Sequence, residues 1–144
     1  RKQLLKASGL PSIDHHNAAT GDNLKRYIFA CDELAEMLDK TGLTKEQKEI
    51  IGKIESRLSM IARQGRAFGI HLILATQRPD ANILSGQIKN NLNIRICGRA
   101  DHVLSQIILD NTEAADQIPD YAQGRFITQD GTVFQAYWFE DTGG

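Results

Sequence analysis

Two adjacent acidic residues end an apolar segment in the first quarter of the chain. Residues 26–33 read Arg-Tyr-Ile-Phe-Ala-Cys-Asp-Glu, so Asp32 and Glu33 close the run. An acid that follows a buried strand suits a magnesium ion beside a nucleotide, and a second acid next to it suits the activation of a water for attack on phosphorus. The same pair also suits an ordinary helix N-cap, because Asp commonly starts helices.

The phosphate loop that normally completes such a nucleotide site does not occur in this sequence. None of the 144 residues belongs to a G-x-x-x-x-G-K-[ST] motif, whose backbone amides hold nucleotide phosphates. We therefore expect the chain to supply only part of a nucleotide site. By itself it should neither bind ATP tightly nor hydrolyse it.

The composition is typical of a single globular domain, which we predict over residues 1–144. The chain is 41% hydrophobic and its net charge is −1, so a polyanion would have to meet a local patch. No apolar run approaches the about 20 residues of a membrane helix. The spacing of the two cysteines, Cys31 and Cys97, and of the adjacent histidines His15 and His16 does not match a metal site. We therefore expect reduced thiols and no zinc. We also expect a cytoplasmic location.

Apolar periodicity predicts strands that alternate with helices. A capping box at Thr44 and Gln47 marks the start of the longest helix, whose apolar face includes Leu58. Asp130-Gly131 predicts a hairpin turn. Strands are predicted at 27–31, 71–76, 94–97, 125–128 and 132–139, helices at 1–9, 34–38, 83–90 and from Asp101, and a turn-rich connection between Pro11 and Asp22.

This order predicts an α/β fold with a largely parallel sheet, flanked by helices and followed by an antiparallel hairpin. Functional sites of such sheets collect at the carboxyl ends of the strands. Two of the predicted strands end in suitable polar residues, namely Asp32-Glu33 and Thr76-Gln77.

Two segments, taken in order, resemble the FtsK/SpoIIIE family of RecA-like motor ATPases. The first is residues 27–33, and the second is residues 62–79, which read Ala-Arg-Gln-Gly-Arg-Ala-Phe-Gly-Ile-His-Leu-Ile-Leu-Ala-Thr-Gln-Arg-Pro. The resemblance covers nearly the whole chain and begins after the place of the family's phosphate loop. It implies a partial RecA-like P-loop NTPase fold that runs from the Walker B strand to the C-terminus.

The resemblance also implies roles for individual residues. Asp32 would bind Mg²⁺ and the nucleotide, Glu33 would orient the attacking water, and Gln77 would contact the terminal phosphate, although Gln77 could instead serve a turn. The family's rings complete each site with an arginine from the neighbouring subunit. Arg66 is our candidate for that finger, ahead of Arg95, and Arg63, Arg78 and Arg99 are further candidates.

Within the family, residues 88–101 are most similar to the coupling ATPases of conjugative transposons, and residues 123–127 are also similar to type VII secretion ATPases. The resemblance implies ATP-driven DNA translocation by a hexameric ring during conjugative transfer, with ATP and Mg²⁺ as cofactors. The parent protein is either free in the cytoplasm or anchored at the inner face of the cell membrane, and the sequence leaves both open. Lys89 and Asn90 would touch the DNA backbone.

Two alternatives to a DNA translocase stay open. The chain could be a domain of a type VII secretion ATPase, or a degenerate RecA-like module that serves assembly and has no activity. In every case we expect apolar surface to be exposed where the rest of a motor domain would pack, with self-association as the consequence.

Overall fold

The structure, a computed structural model, describes residues 1–80, 84 and 86–137 of the chain. The chain divides into two compact units, one formed by residues 1–78 and 83–92 and the other by residues 79–82 and 93–144. Their internal organisation bears out the α/β fold class, while the extent of a single domain over residues 1–144 stays a prediction. No helix among the described residues is long and apolar enough to cross a membrane.

The first unit contains a parallel pair of strands joined by a helical crossover. Strands β1 and β2 pair from Tyr27 opposite Ile70 to Cys31 opposite Leu74. The capping box at Thr44 is present at the start of the longest helix, as predicted. The elements are α1 (Lys2–Ser8), α2 (Ile13–Thr20), β1 (Tyr27–Cys31), α3 (Leu34–Leu38), α4 (Lys45–Gln64), a 3₁₀ turn (Gly65–Phe68), β2 (Ile70–Leu74) and α5 (Gly86–Lys89).

One face of this sheet packs on the helices, and apolar residues of the other face are exposed. Leu34, Leu38, Leu58 and Ile88 form a buried core, against which Cys31, Leu72 and Leu74 pack from the strands. Residues on the opposite face alternate with these, since successive strand residues point to opposite sides. There Ile28 is 67% and Ile73 57% exposed, which confirms the predicted exposure of apolar surface.

The second unit contains an antiparallel sheet in the order β3, β4, β5 with two helices beside it. The predicted hairpin is confirmed, with Gly131 at φ +84° in its turn and Phe126 opposite Phe134. Cys97, Leu109, Ala114, Ile118 and Ile127 form its core. The elements are β3 (Ile96–Cys97), α6 (His102–Leu109), α7 (Glu113–Gln117), β4 (Arg125–Thr128) and β5 (Val133–Gln135).

The prediction of a turn-rich connection between Pro11 and Asp22 is wrong, because α2 lies there. Ser12 caps the start of the helix by accepting from the His15 amide, and Gly21 ends it in the left-handed region at φ +77°. The polar residues and glycine that suggested turns are the two caps of a helix. Helix α7 was not predicted.

Some predicted elements reach residues that the structure does not describe. Of the predicted helix over 83–90, positions 83 and 85 lie outside the described residues, and α5 covers Gly86–Lys89. The predicted strand over 132–139 includes positions 138 and 139, which also lie outside them, and β5 covers Val133–Gln135.

Candidate nucleotide site

The parallel pairing of β1 with β2 brings the two predicted polar strand ends together. The ladder continues past Cys31, whose carbonyl accepts from the Ala75 amide at 2.8 Å, while the Ala75 carbonyl accepts from the Leu34 amide at 2.8 Å. Asp32 and Glu33 are therefore fixed beside Thr76 and Gln77, at the carboxyl edge of the sheet. This is the edge at which α/β proteins commonly place ligands.

Glu33 is the centre of a small hydrogen-bond network at this edge. Its Oε1 accepts from the Ala35 amide at 3.2 Å and from the Thr76 hydroxyl, and its Oε2 accepts from the Gln77 amide at 2.8 Å. The Thr76 hydroxyl, followed by the Gln77 amide, lowers the pKa of Glu33 below its ordinary value. The carboxylate is thus held ionised while it caps α3 and joins the ends of two strands.

Asp32 is exposed beside this network and can take a further ligand. A Mg²⁺ ion usually keeps several waters and takes one or two carboxylates together with phosphate oxygens. One accessible carboxylate at the end of a strand fits that requirement. Among the described residues no group of three or more His, Cys, Asp or Glu side chains is arranged as a metal cage.

Gln77 and Arg78 follow β2 and are exposed at the same edge. The Gln77 backbone amide, rather than its side chain, bonds to Glu33, so the side chain stays on the surface of the site. The positive charge of Arg78 also lowers the pKa of Glu33, and its amide donates to the Thr76 hydroxyl oxygen at 3.1 Å. The sequence analysis named Thr76 only as part of a polar strand end, and its position directly before Gln77 was the available signal for a larger role.

Arg66 lies at the opposite end of the parallel strands. It belongs to the 3₁₀ turn before β2, and the Gly69 carbonyl after that turn accepts from the Tyr27 amide at the start of β1. A strand rises about 3.3 Å per residue, so five residues separate Arg66 from the Glu33 edge by roughly 16 Å. Arg66 is exposed in a surface groove of about 560 Å³, together with Ser12, Asp14, Arg63, Gln64, Ala67 and Phe68.

Arg95 and Arg99, in the second unit, are engaged in local structure. Arg95 donates to the Ile108 carbonyl at 3.1 Å and to the Asp110 carboxylate at 2.6 Å, and only 19% of its side chain is exposed. Arg99 donates to the Asp120 carbonyl at 2.6 Å. These contacts tie β3 and the following segment to the end of α6 and to the loop after α7.

Lys89 and Asn90, the predicted DNA contacts, lie at the end of α5 in the first unit. Ile88 immediately before them is fully buried, which anchors the short helix on the core. Lys89 is half-buried and Asn90 is exposed. The Asn90 amide donates to the Gly86 carbonyl at 3.0 Å and closes the helix.

The near-neutral charge of the chain conceals an uneven distribution between the two units. Residues 1–78 and 83–92 contain 14 Lys and Arg against nine Asp and Glu, whereas residues 79–82 and 93–144 contain three against nine. The first unit, which carries the candidate site, is therefore basic, and the second is acidic. Any local patch that attracts a polyanion belongs to the first unit.

Comparison with protein-family models gave no match for this chain. Among curated proteins, the chain is 35% identical over 120 residues to the DNA translocase FtsK of Chlorobaculum tepidum. The aligned region is 82% of this chain and 14% of that protein, so the chain spans only a small part of its relative.

Solved structures give the same picture for the fold. The chain is similar to the conjugation coupling protein TcpA of pCW3, solved as a monomer with ATPγS, at a TM-score of 0.87 and 44% identity over 96% of this chain and 40% of that one. It shares its fold with the type VII secretion ATPase EccC of Thermomonospora curvata, at a TM-score of 0.63 and 23% identity over 92% of this chain and 15% of that one. The likenesses to the DNA translocase FtsK and to TcpA show that the chain belongs to the FtsK/SpoIIIE family, matching a part of each relative's length.

Proposed function

We propose that this chain supplies the Walker B, sensor and arginine-finger part of a ring motor that moves DNA at the expense of ATP. The observation that carries the proposal is the network around Glu33, which joins the acid-ended strand β1 to the Thr76–Gln77 end of β2. Support also comes from likeness to a protein named a DNA translocase and to a conjugation coupling protein that holds an ATP analogue.

In this function the carboxylate of Asp32 would hold Mg²⁺ through its waters, beside the phosphates of ATP. When bound, the ion would neutralise charge on the phosphoryl oxygens. Glu33 would accept a proton from the attacking water, and the exposed Gln77 amide would contact the terminal phosphate. The pre-set position of Glu33 matters because orientation lowers the barrier to attack.

Arg66 would act on the site of a neighbouring copy rather than on its own. In the first unit it lies at the strand ends opposite Glu33, and its exposure leaves the guanidinium accessible to another subunit. A finger that completes the next active site requires this kind of placement. This part of the proposal includes assembly into a ring, with a hexamer as the expected size.

DNA would be held by the first unit through its phosphates, without reading of bases. The basic excess of that unit and the end of α5, with the half-buried Lys89 and the exposed Asn90, support this placement. The likeness to a conjugation coupling protein supports a role in transfer of a mobile element. A salt titration of DNA binding by the whole protein tests the cargo, because phosphate contacts weaken steeply with salt.

The test of catalysis is Glu33→Gln in the whole protein that carries this chain. Loss of the base should lower ATP hydrolysis by about 10²-fold or more. Glu36→Gln is the matched control, since Glu36 is an exposed acid of the same short helix α3. Wild-type turnover by the Glu33→Gln variant would falsify the catalytic assignment.

A non-catalytic assembly module is the second candidate, and one observation favours it. Glu33 already fulfils a structural role, because its carboxylate caps α3 and bridges two strands. If the chain is such a module, or a degenerate domain of a type VII secretion ATPase, the gene should encode no phosphate loop upstream of Arg1. Sequencing that region decides between the two candidates.

A further inference from the structure

The two oxygens of Glu33 do not have the same number of hydrogen-bond partners. A carboxylate offers about four lone-pair sites, two on each oxygen. The Ala35 amide and the Thr76 hydroxyl occupy both sites of Oε1, whereas the Gln77 amide occupies one site of Oε2. Within the part of the chain that the structure describes, the second acceptor site of Oε2 has no donor and is available to a substrate.

The direction of the Thr76 hydroxyl is fixed by its other partner. Its oxygen accepts from the Arg78 amide at 3.1 Å, which sets the rotamer. A hydroxyl has one proton, and the carboxylate of Glu33 is a pure acceptor, so that proton is donated to Oε1. Thr76 thus links the backbone of the segment after β2 to one chosen oxygen of Glu33.

We propose that Thr76 is a positioning residue that saturates Oε1 of Glu33 and leaves Oε2 as the atom that receives a proton from the attacking water. This inference rests on the proposed catalytic role of Glu33. It assigns Thr76 a function that acts through Glu33, and it names the reacting oxygen. The proton moves from the water to Oε2 while the water oxygen forms its bond to phosphorus and the bond to the leaving phosphate oxygen breaks.

The test compares Thr76→Val with Thr76→Ser in the whole protein. Valine keeps the shape but removes the hydroxyl, so kcat should fall by about tenfold, equivalent to one charge-assisted hydrogen bond, while the KM for ATP stays within about twofold. Serine keeps the hydroxyl and should restore the rate, because the contact to Oε1 is regained.

Thr112→Val is the matched control. The Thr112 hydroxyl donates to the Asp116 carboxylate at 2.8 Å, so this variant removes the same type of contact at a place remote from the acid pair in sequence. Its kcat should match the wild type. If Thr76→Val does not fold in the whole protein, Thr76→Ala takes its place, and its kcat should be about tenfold below that of Thr76→Ser at an unchanged KM for ATP.

Two outcomes overturn the inference. One is a wild-type rate for Thr76→Val while Glu33→Gln is inactive, which leaves the proposed function intact. The other is a loss of activity that serine does not restore and that parallels a loss of thermal stability, which means a purely structural role. A fully active Glu33→Gln variant would instead overturn the proposed function itself.

Discussion

At the scale of single residues, Glu33 joins parts of the chain that are far apart in sequence. Its side chain bonds to the Ala35 amide two residues away and to the Gln77 amide 44 residues away. The sequence showed that acids end one strand and polar residues end another, and the rule for parallel sheets brought them together correctly. It did not show the role of Thr76, because hydroxyl and amide directions depend on backbone geometry after the strand ends.

The ionisation of Glu33 should make stability depend on pH. Because its pKa in the folded chain lies below the ordinary value of 4.5, its contribution is present above that value and is lost as the pH falls through the folded pKa. Chemical unfolding between pH 7 and pH 3 should show wild type more stable than Glu33→Gln at neutral pH, with the difference shrinking below pH 4.5. Glu36→Gln is the control, and a difference independent of pH would count against the network.

Arg66 and Arg95, the two leading finger candidates, should respond differently to truncation. Arg95→Ala removes contacts to Ile108 and Asp110 and should lower the free energy of unfolding by about 1–3 kcal/mol. Arg66→Ala alters an exposed side chain and should change the free energy of unfolding by no more than about 0.5 kcal/mol. Denaturant titration of both variants checks this, and equal stability losses would contradict the structural assignment of Arg95.

At the scale of elements, capping residues explain both a success and an error of the sequence analysis. Thr44 and Gln47 correctly predicted the start of α4, because apolar residues at helical spacing follow them. Ser12 and Gly21 cap α2 in the same physical way, but its residues have little apolar periodicity and only Ile13 and His16 are buried. Polar caps without an amphipathic face are indistinguishable from a loop at the level of sequence.

The pairing of the strands illustrates a second limit of structure prediction from this sequence. Strand β3 is only two residues long, and it pairs antiparallel with β4 instead of extending the parallel pair. Its apolar residues suit either partner, because both environments are buried on one side. The choice depends on contacts with α6 (His102–Leu109) and β4 (Arg125–Thr128) further along the chain, so only the folded structure reveals it.

The junction of α4 with β2 should be sensitive to a single added carbon. A Cβ on Gly65 would lie 2.6 Å from the backbone oxygen of Ile70, which cannot move away without disturbing β2. Gly65→Ala should therefore lower stability by about 1–3 kcal/mol. Gly52→Ala is the control within α4, where nothing lies within 4 Å, and it should raise stability by about 0.5–1 kcal/mol. Thermal unfolding of the pair tests the close packing.

At the scale of the whole molecule, the exposed apolar surface on β1 and β2 is the feature that most favours self-association of the chain. Tyr27, Ile28 and Ile73 are each more than half exposed. Self-association should therefore increase with concentration in sedimentation experiments, and Ile28→Lys should suppress it. Ile94→Lys, at a residue that is 78% exposed in the second unit, should leave association unchanged. A wild-type chain that stays monomeric at every concentration would contradict this prediction.

The chain by itself should also bind ATP weakly. Asp32, Gln77 and Arg78 offer one carboxylate, one amide and one cation at the site, but the sequence contains no phosphate loop to hold the triphosphate. Calorimetry with Mg²⁺ and ATP should give no binding in the micromolar range. A micromolar affinity would mean that the described residues form a phosphate cradle of another kind.

The parallel pairing of β1 with β2 has a consequence for biosynthesis. During translation β1 emerges first, and its partner follows only after α3, α4 and the 3₁₀ turn have been made, since β2 begins at Ile70. Until then β1 lacks the neighbour with which it pairs in the structure, and nascent chains with unpaired strands are prone to aggregate. The contact between Glu33 and Gln77 depends on this long-range closure. The acid pair therefore gains its partners at the end of β2 only after α4 has been made.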